Sequence, residues 1–398
     1  MKKSLKVCIA VLAALALILG SSAVTVTLVS RKYEALLDTR SETEQKAAEI
    51  SAYLEKYFID DYDEKTLADA AASAMVTATG DRWSYYLAPE FYADYAEQMN
   101  NAYVGVGVTI TMDEEAGGMR IVAVASGGPA EEAGVQIDDI LTQVEGQDVL
   151  SLGTQKTREL VRGEEGSFVS LRLLRDGQTL DVSVERRSIQ TEVVSSRMLG
   201  DEIGYIKINN FDARSAEESI AAVDALISGG AQALLFDVRF NGGGYKDEMV
   251  QLLDKLLPEG ELFQSEDYTG KKEIDRSDAS CVELPMAVLV NADSYSAAEF
   301  FAAALQEYEW ASVVGEKTTG KGNFQTAFRL SDGSLLNLSI GKYYTPQGRS
   351  LSETGVTPDV SVELSEQART ALGYGQLAQE DDAQLQAAQS LLLEELHP

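Results

Sequence analysis

One long hydrophobic run lies near the amino terminus. Basic residues at the start precede an almost uninterrupted apolar or small-residue stretch over residues 7–29, and Arg31 follows it. A run of this length can span a bilayer. A cleavable signal sequence is the alternative, because Ser21-Ser22-Ala23 resembles a processing site. We favour an uncleaved signal anchor over residues 1–30, and either alternative places the rest of the chain outside the cytoplasm.

Apolar residues then recur at helical spacing. Few glycines occur between residues 33 and 98, and apolar side chains follow a three-to-four spacing at Ala48, Ile50, Tyr53, Leu54 and Phe58. This period is typical of an amphipathic helix. The pattern predicts a helical amino-terminal region over residues 31–98.

The pattern changes to short β-rich runs after residue 103. Glycines separate the runs, and a turn with a helical stub is expected over residues 128–134. The predicted strands are Val104–Thr111, Arg120–Ala125, Ile140–Val144, Val169–Arg175 and Thr179–Glu185. This layout predicts a separate domain over residues 99–188.

Strands and helices alternate between residues 203 and 358. One helix is expected to begin near Ser215, with Ser215 and Glu218 as a capping box, and another to cover Ala297–Tyr308. The buried strands are predicted at Ile203–Ile208, Ala233–Val238 and Met286–Asn291. The alternation predicts an α/β core with parallel pairing over residues 189–364. Functional sites in such sheets lie at the carboxyl ends of the strands.

The acidic tail over residues 365–398 is helix-prone and carries apolar residues at Leu385, Leu391–Leu393 and Leu396. We expect a helix that packs on the core or on a second subunit. A homo-oligomer is therefore an open possibility.

Composition excludes several classes of protein. The formal net charge of -31, from 64 acidic and 33 basic residues, argues against nucleic-acid binding. The only histidine, His397, lies next to the last residue, which argues against a Ser-His-Asp triad and a histidine metal cluster. Cys8 lies in the apolar leader and Cys281 stands alone, so no disulfide framework is expected and Cys281 is interpreted as a packing residue.

A glycine cluster follows the second predicted core strand. Gly242, Gly243 and Gly244 come a few residues after Asp237. Glycine lets the backbone turn sharply and present bare amides, as an oxyanion or phosphate site requires. A plain flexible turn is the alternative.

Ser296 follows the third predicted strand, with Glu299 three residues later. This spacing ordinarily indicates only a capping box. The same position also exposes a hydroxyl where the helix dipole and the amide of Ala297 would favour a developing anion.

Lys321 lies between Gly320 and Gly322. Gly315 and Gly320-Lys321 copy most of a phosphate-binding loop, but Gly322 stands where Ser or Thr must bind magnesium. A strand is predicted after it in place of the required helix, which argues against nucleotide binding. A lysine between glycines is ordinarily a solvated loop residue. A desolvated lysine, however, loses its proton more easily and can act as general base to a serine.

Five ordered motifs together resemble the carboxyl-terminal processing peptidases, also called tail-specific proteases. The resemblance extends over residues 35–395. The motifs are Asp237-x-Arg239-x-Asn241-x-Gly243-Gly244, Ser296-x-x-Glu299, Gly320-Lys321-Gly322-x-x-Gln325, Tyr343-Tyr344-Thr345-Pro346-x-Gly348-Arg349-Ser350 and Gly355-Val356-x-Pro358-Asp359.

The resemblance implies a role for each matching residue. Ser296 corresponds to the nucleophile, Lys321 to the general base and Gln325 to the residue that orients the lysine. The oxyanion hole would use the amides of Ala297 and Gly243, with the neighbouring glycine at 242 as the alternative.

The chain departs from the family pattern near the nucleophile. Tyr295 and Ala298 replace common small or hydroxyl residues, and Gly242 stands where a proline is often found. These changes bear on the shape of the site and remove no reacting group.

The β-rich segment resembles the PDZ domain that these peptidases carry. Gly105, Val106 and Gly107 match the loop whose amides receive a substrate's terminal carboxylate while the peptide adds as a β-strand. Residues 127–134 and 146–149 match later PDZ elements.

The sequence therefore predicts a membrane-anchored, extracytoplasmic serine endopeptidase. Its α/β catalytic core follows a β-rich PDZ domain and is flanked by helical amino- and carboxyl-terminal arms. The substrates are expected to be polypeptides with exposed carboxyl termini, and neither a metal nor an organic cofactor is required. The rival interpretation is a catalytically silent, membrane-tethered PDZ adaptor.

Overall fold

The computed structural model describes residues 41–398. The predicted signal anchor over residues 1–30 lies outside the described residues. Among the helices of residues 41–398, none has both the length and the apolar character needed to cross a membrane. The described chain divides into two units, one ending at Ala71 and the other running from Ala72 to Pro398.

The amino-terminal region contains two helices, α1 (Glu42–Tyr57) and α2 (Glu64–Thr77), which confirms that it is helical as predicted. α1 begins with a capping box, in which Ser41 Oγ accepts from the Glu44 N–H at 3.2 Å and the Glu44 carboxylate accepts from the Ser41 N–H at 2.8 Å. Neither helix buries a residue within the described part of the chain.

A β-rich domain follows a short connecting segment that contains β1 (Tyr85–Leu87), a 3₁₀ turn (Pro89–Phe91) and α3 (Tyr92–Met99). Its elements are β2 (Ala102–Gly105), β3 (Val108–Asp113), β4 (Gly118–Val124), α4 (Pro129–Glu132), β5 (Ile140–Val144), β6 (Gln147–Asp148), α5 (Val149–Val161), β7 (Phe168–Arg175), β8 (Gln178–Glu185) and β9 (Arg187–Gln190).

An antiparallel sheet of order β3-β4-β5-β7-β8 forms the body of this domain, with β6 on β5. β2 pairs separately with β9. Side chains on a strand alternate between the two faces of a sheet, so Val169, Leu171 and Leu173 of β7 all point into the domain core.

The remaining elements form the α/β core and the tail. They are β10 (Val194–Leu199), β11 (Ile203–Ile208), α6 (Ser215–Ser228), β12 (Ala233–Asp237), α7 (Lys246–Leu256), β13 (Gly260–Asp267), β14 (Lys272–Ser277), β15 (Met286–Val290), α8 (Ala297–Glu307), β16 (Ala311–Gly315), β17 (Asn323–Arg329), β18 (Leu335–Tyr344), β19 (Val360–Ser361), α9 (Glu366–Gly373), a 3₁₀ turn (Gln379–Asp381) and α10 (Ala383–Leu396).

The central sheet has the order β10-β11-β12-β15-β16-β19, and its pairs from β11 to β19 are parallel. Phe236 of β12 packs in the cluster that contains α6, α7 and α8, whereas its neighbour Leu235 packs with α10 on the other face. Helices therefore cover both faces of a mostly parallel sheet, which confirms the predicted α/β core. A second, antiparallel sheet has the order β1-β18-β13-β14, with β17 on β18.

The tail helix α10 packs on the core, which is one of the two arrangements expected from the sequence. Leu385, Ala388 and Leu392 are buried against the central sheet. Asp382, immediately before α10, binds the guanidinium of Arg239 through both carboxylate oxygens at 2.9 Å.

The capping box predicted at Ser215 is wrong. Arg214 occupies the cap position of α6 with φ +76°, and Glu218 pairs with the Arg214 guanidinium. The amide of Ala216 donates instead to Glu248 at 2.7 Å. A carboxylate from another helix therefore satisfies this amide, and Glu218 forms an ion pair.

Candidate active site

Ser296 lies in a sharp turn between β15 and α8. Its backbone has φ +59° and ψ −127°, which is rare for a residue with a side chain and is held by the surrounding structure. The Asn291 side chain fixes the start of the turn, since Oδ1 accepts from the Asp293 N–H at 3.2 Å and the Phe240 N–H at 3.0 Å. The turn places the serine at the carboxyl end of a central strand, where a functional site was expected.

Glu299 joins the serine turn to the lysine loop. Its Oε2 accepts from the backbone N–H of Ser296 at 3.0 Å and of Lys321 at 2.8 Å. Because one oxygen receives both bonds, the two amide nitrogens lie within about 6 Å of each other. Its Oε1 accepts from the Gly320 N–H at 2.7 Å and from the Thr318 hydroxyl.

This carboxylate is fully buried. Burial raises the pKa of Glu299, although its four hydrogen bonds favour the ionised form. The Ser-x-x-Glu spacing predicted a helix cap and an exposed serine hydroxyl, and it gave Glu299 no role beyond the cap and the family motif. The link from Glu299 to the lysine loop could not be seen from that spacing, because the loop follows another strand.

Lys321 is poorly solvated. Burial lowers the pKa of Lys321 to about 8. The carboxylates of Asp81 and Glu299 have the opposite effect on this pKa, because they favour the ammonium form. Its Nζ lies 4.8 Å from the Trp83 ring centroid and 5.9 Å from that of Tyr295. Asp81 and Trp83 belong to the segment before β1, and sequence reasoning did not select them.

Gln325 lies on β17, close to the lysine in the chain. Its Nε2 donates to the Asn323 carbonyl at 3.1 Å and to Ser339 Oγ at 3.0 Å. The Ser339 N–H donates to Ser84 Oγ, and that hydroxyl donates to Asp81 at 2.6 Å. Gln325 therefore connects to the carboxylate near Lys321 through two serines, and its orienting role stays a prediction.

The glycine loop after β12 packs directly on the serine turn. Gly243 has φ +88°, and a Cβ at this position would lie 2.7 Å from Ser296 Cβ and 2.9 Å from the Ala297 nitrogen. Only glycine allows this approach. The Gly243 N–H donates to Asn241 Oδ1 at 2.8 Å, so an oxyanion at this amide would compete with Asn241.

The predicted carboxylate-binding loop lies between β2 and β3. Val106 is buried, and its carbonyl accepts from the Ala130 N–H at 2.9 Å. The Gly107 carbonyl accepts from the Ala125 N–H at 2.8 Å, and its φ is +79°. Hydrogen bonds to the rest of the domain therefore fix the carbonyls of Val106 and Gly107.

Comparison with known proteins supports both domains. Residues 202–362 match Peptidase family S41, and residues 120–175 match the PDZ domain. The chain is 34% identical to the carboxy-terminal processing protease CtpA of Bacillus subtilis over 316 residues, covering 78% of this chain and 67% of that protein. It is 30% identical to a carboxyl-terminal-processing protease of Synechocystis, covering 81% of this chain and 76% of that protein.

A solved S41 protease from Bacteroides fragilis shares the fold, with a TM-score of 0.52 and 18% identity over 85% of this chain and 91% of that chain. Together, the fold and the matched domains define a serine peptidase with a PDZ domain. The chain belongs to peptidase family S41, among the carboxyl-terminal processing proteases. The resemblance inferred from the five motifs is confirmed.

Proposed function

We propose that this chain is a membrane-anchored, extracytoplasmic endopeptidase that cleaves polypeptides near their carboxyl termini. Ser296 attacks the scissile carbonyl, Lys321 accepts the serine proton and Gln325 orients the lysine. The amides of Ala297 and the glycine loop stabilise the oxyanion, and the PDZ loop over residues 105–107 captures the substrate tail.

The observation that carries this proposal is the shared carboxylate oxygen of Glu299. It binds the backbone amides of Ser296 and Lys321 and so brings the nucleophile and the base into one site. Serine is a weak nucleophile until a neighbouring base removes its proton. The only histidine lies at position 397 on the carboxyl-terminal side of α10, where it pairs with Glu202, so it does not serve this serine.

The ionisation of Lys321 supports its role as base. A lysine with an ordinary pKa is almost entirely protonated at neutral pH, whereas a pKa of about 8 leaves a useful neutral fraction. Only the neutral amine accepts a proton, so acylation should rise with pH and level off above pH 8.

A serine-reactive fluorophosphonate tests the dyad. The probe should label the wild-type chain, and Ser296→Ala should lose labelling and peptide cleavage by about 10³-fold or more. Lys321→Arg should be equally inactive, because arginine stays protonated in proteins. Lys317→Arg is the matched control, since Lys317 is an exposed lysine of the same loop and should retain full activity.

Circular dichroism of each variant is the control for folding. An active Lys321→Arg enzyme would show that the lysine supplies only a positive charge, and the dyad would then be abandoned. A folded wild-type chain that neither reacts with the probe nor cleaves peptides, but binds peptide tails, would favour the adaptor.

The anchor and location are proposed from the apolar run over residues 7–29 alone. Mass spectrometry of the protein extracted from membranes should detect the intact amino terminus. A mature protein that starts after Ala23 would instead show a cleaved signal sequence.

A further inference from the structure

Two aromatic rings lie against the amine of Lys321. The Trp83 and Tyr295 rings are 5.6 Å apart between centroids and inclined by 32°. The Lys321 Nζ lies over both, at 4.8 Å and 5.9 Å from their centroids. Trp83 comes from the segment before β1 and Tyr295 from the serine turn, so the two rings reach the lysine from different parts of the fold.

We propose that Trp83 and Tyr295 are positioning residues that exclude water from Lys321 and thereby keep its amine ready to accept a proton, and that Gly242 is required to admit Tyr295. This rests on the proposed role of Lys321 as the base of the dyad.

Two effects of the rings oppose each other. The face of an aromatic ring attracts an ammonium group and so favours the protonated lysine. Cover by the rings also removes water, which favours the neutral amine. Burial lowers the pKa of Lys321. In the proposed arrangement, the removal of water by the two rings outweighs their attraction for the ammonium group.

The carboxylates near Lys321 do not explain its lowered pKa. Asp81 and Glu299 both favour the ammonium form. The Arg82 guanidinium carbon lies 4.3 Å from the Trp83 ring centroid, so a second cation contacts the same ring. Asp81 and Glu299 therefore oppose the lowered pKa of Lys321, and burial is its main cause.

Gly242 explains how the site accommodates Tyr295. A Cβ at Gly242 would lie 2.6 Å from Tyr295 Oη and 2.9 Å from its Cζ. The backbone of Gly242 is outside the left-handed region, so alanine is compatible with its conformation. The Tyr295 side chain, and not the backbone conformation, is therefore what disfavours a side chain at residue 242.

The test measures the ionisation of Lys321 directly. Trace acetic anhydride reacts only with neutral amines. After the full chain is labelled, digestion and mass spectrometry of the peptide that contains Lys321 give the extent of its acetylation at each pH. The measurement uses the Ser296→Ala background, so it does not depend on catalysis. If Lys321→Arg proved active, the proposed base role would fail while this titration still reported on the rings.

Trp83→Ala and Tyr295→Ala should each move the Lys321 midpoint upward by about one pH unit, back towards that of a solvated lysine. In the active enzyme the same change should lower acylation at pH 7 about tenfold, with little loss at high pH. Trp83→Phe should largely restore the wild-type midpoint. Tyr268→Ala removes an exposed aromatic residue and should change nothing.

Gly242→Ala reaches the same site without altering either ring. It should raise the midpoint by displacing Tyr295, and it should have no further effect in the Tyr295→Ala background, because the clash is then gone. The proposal is wrong if ring removal lowers the midpoint or leaves it unchanged. It is also wrong if Arg82→Ala reproduces the Trp83→Ala shift, since the neighbouring cation would then set the midpoint.

Discussion

Replacement of Glu299 by glutamine separates the charge of this residue from its shape. Each carboxylate oxygen accepts two hydrogen bonds, and the pair that ties Ser296 to Lys321 shares Oε2. A glutamine side chain keeps one acceptor oxygen and places an NH₂ group at the other position. The oxygen can remain on the Ser296 and Lys321 amides, so the NH₂ group faces Thr318 and Gly320.

The loss of folding free energy in this arrangement depends on how Thr318 and Gly320 respond to the NH₂ group. The Thr318 hydroxyl can rotate to accept a hydrogen bond, but the Gly320 N–H is a donor only and loses its acceptor. A buried donor left without a partner costs about 1–3 kcal/mol. We therefore expect Glu299→Gln to lower the free energy of unfolding by about 1–3 kcal/mol.

Loss of the charge has a separate effect on the lysine. The Glu299 carboxylate favours the ammonium form of Lys321, so its removal should lower the Lys321 pKa below about 8. The pH at which acylation reaches half its maximum should then move down, while the limiting rate at high pH is largely kept.

Urea unfolding measures the stability, and the rate at which a fluorophosphonate labels Ser296 from pH 5 to 10 gives the midpoint. Glu309→Gln is the matched control, because Glu309 is an exposed glutamate just after α8. An unchanged midpoint would mean that Glu299 is already neutral in the wild type. An upward shift would refute the electrostatic reasoning altogether.

Three further changes test other parts of the molecule. Gly107→Leu should reduce cleavage of substrates with free carboxyl ends more than cleavage of short peptides that reach the core directly, because a side chain in the loop would block the amides that receive the carboxylate. Equal loss for both substrate types in a folded variant would contradict the PDZ loop as tail sensor. Gln325→Ala should lower the acylation rate less than Lys321→Arg, since an orienting residue contributes less than the base, and an equal loss would assign it a larger role. Arg239→Met should lower the unfolding free energy by about 3–5 kcal/mol in urea titrations because it leaves buried carboxylates unpaired, and a neutral result would contradict that account.

The residues that we propose for catalysis could be selected from the sequence because each follows a strand of the core. Ser296, Lys321 and Gly243 lie where apolar strand patterns end, and parallel strands bring such ends to one edge of a sheet. The short β-prone runs Ile140–Val144 and Ile203–Ile208 were also predicted with the bounds that β5 and β11 have in the structure.

The surroundings of the lysine were not predicted, for a physical reason. Trp83 and Asp81 lie far upstream of Lys321 and carry no local pattern that relates them to it. The segment that carries them comes near Lys321 only through tertiary structure, in which β1 pairs with β18. The Ser215 capping box failed for a similar reason, because Glu248 of another helix provides the acceptor.

The carboxyl-terminal tail contacts the region next to the site through buried charged residues. The Arg239 guanidinium is 2% exposed and binds Asp237 on the strand end and Asp382 before α10. A buried cation requires such partners, since it cannot recover its hydration inside the protein. Arg239 stands between Asp237 and the glycine loop that packs on the serine turn. We therefore expect a change at Asp382 to disturb Arg239 and, through it, the glycine loop that contains Gly243, although Asp382 itself belongs to the tail.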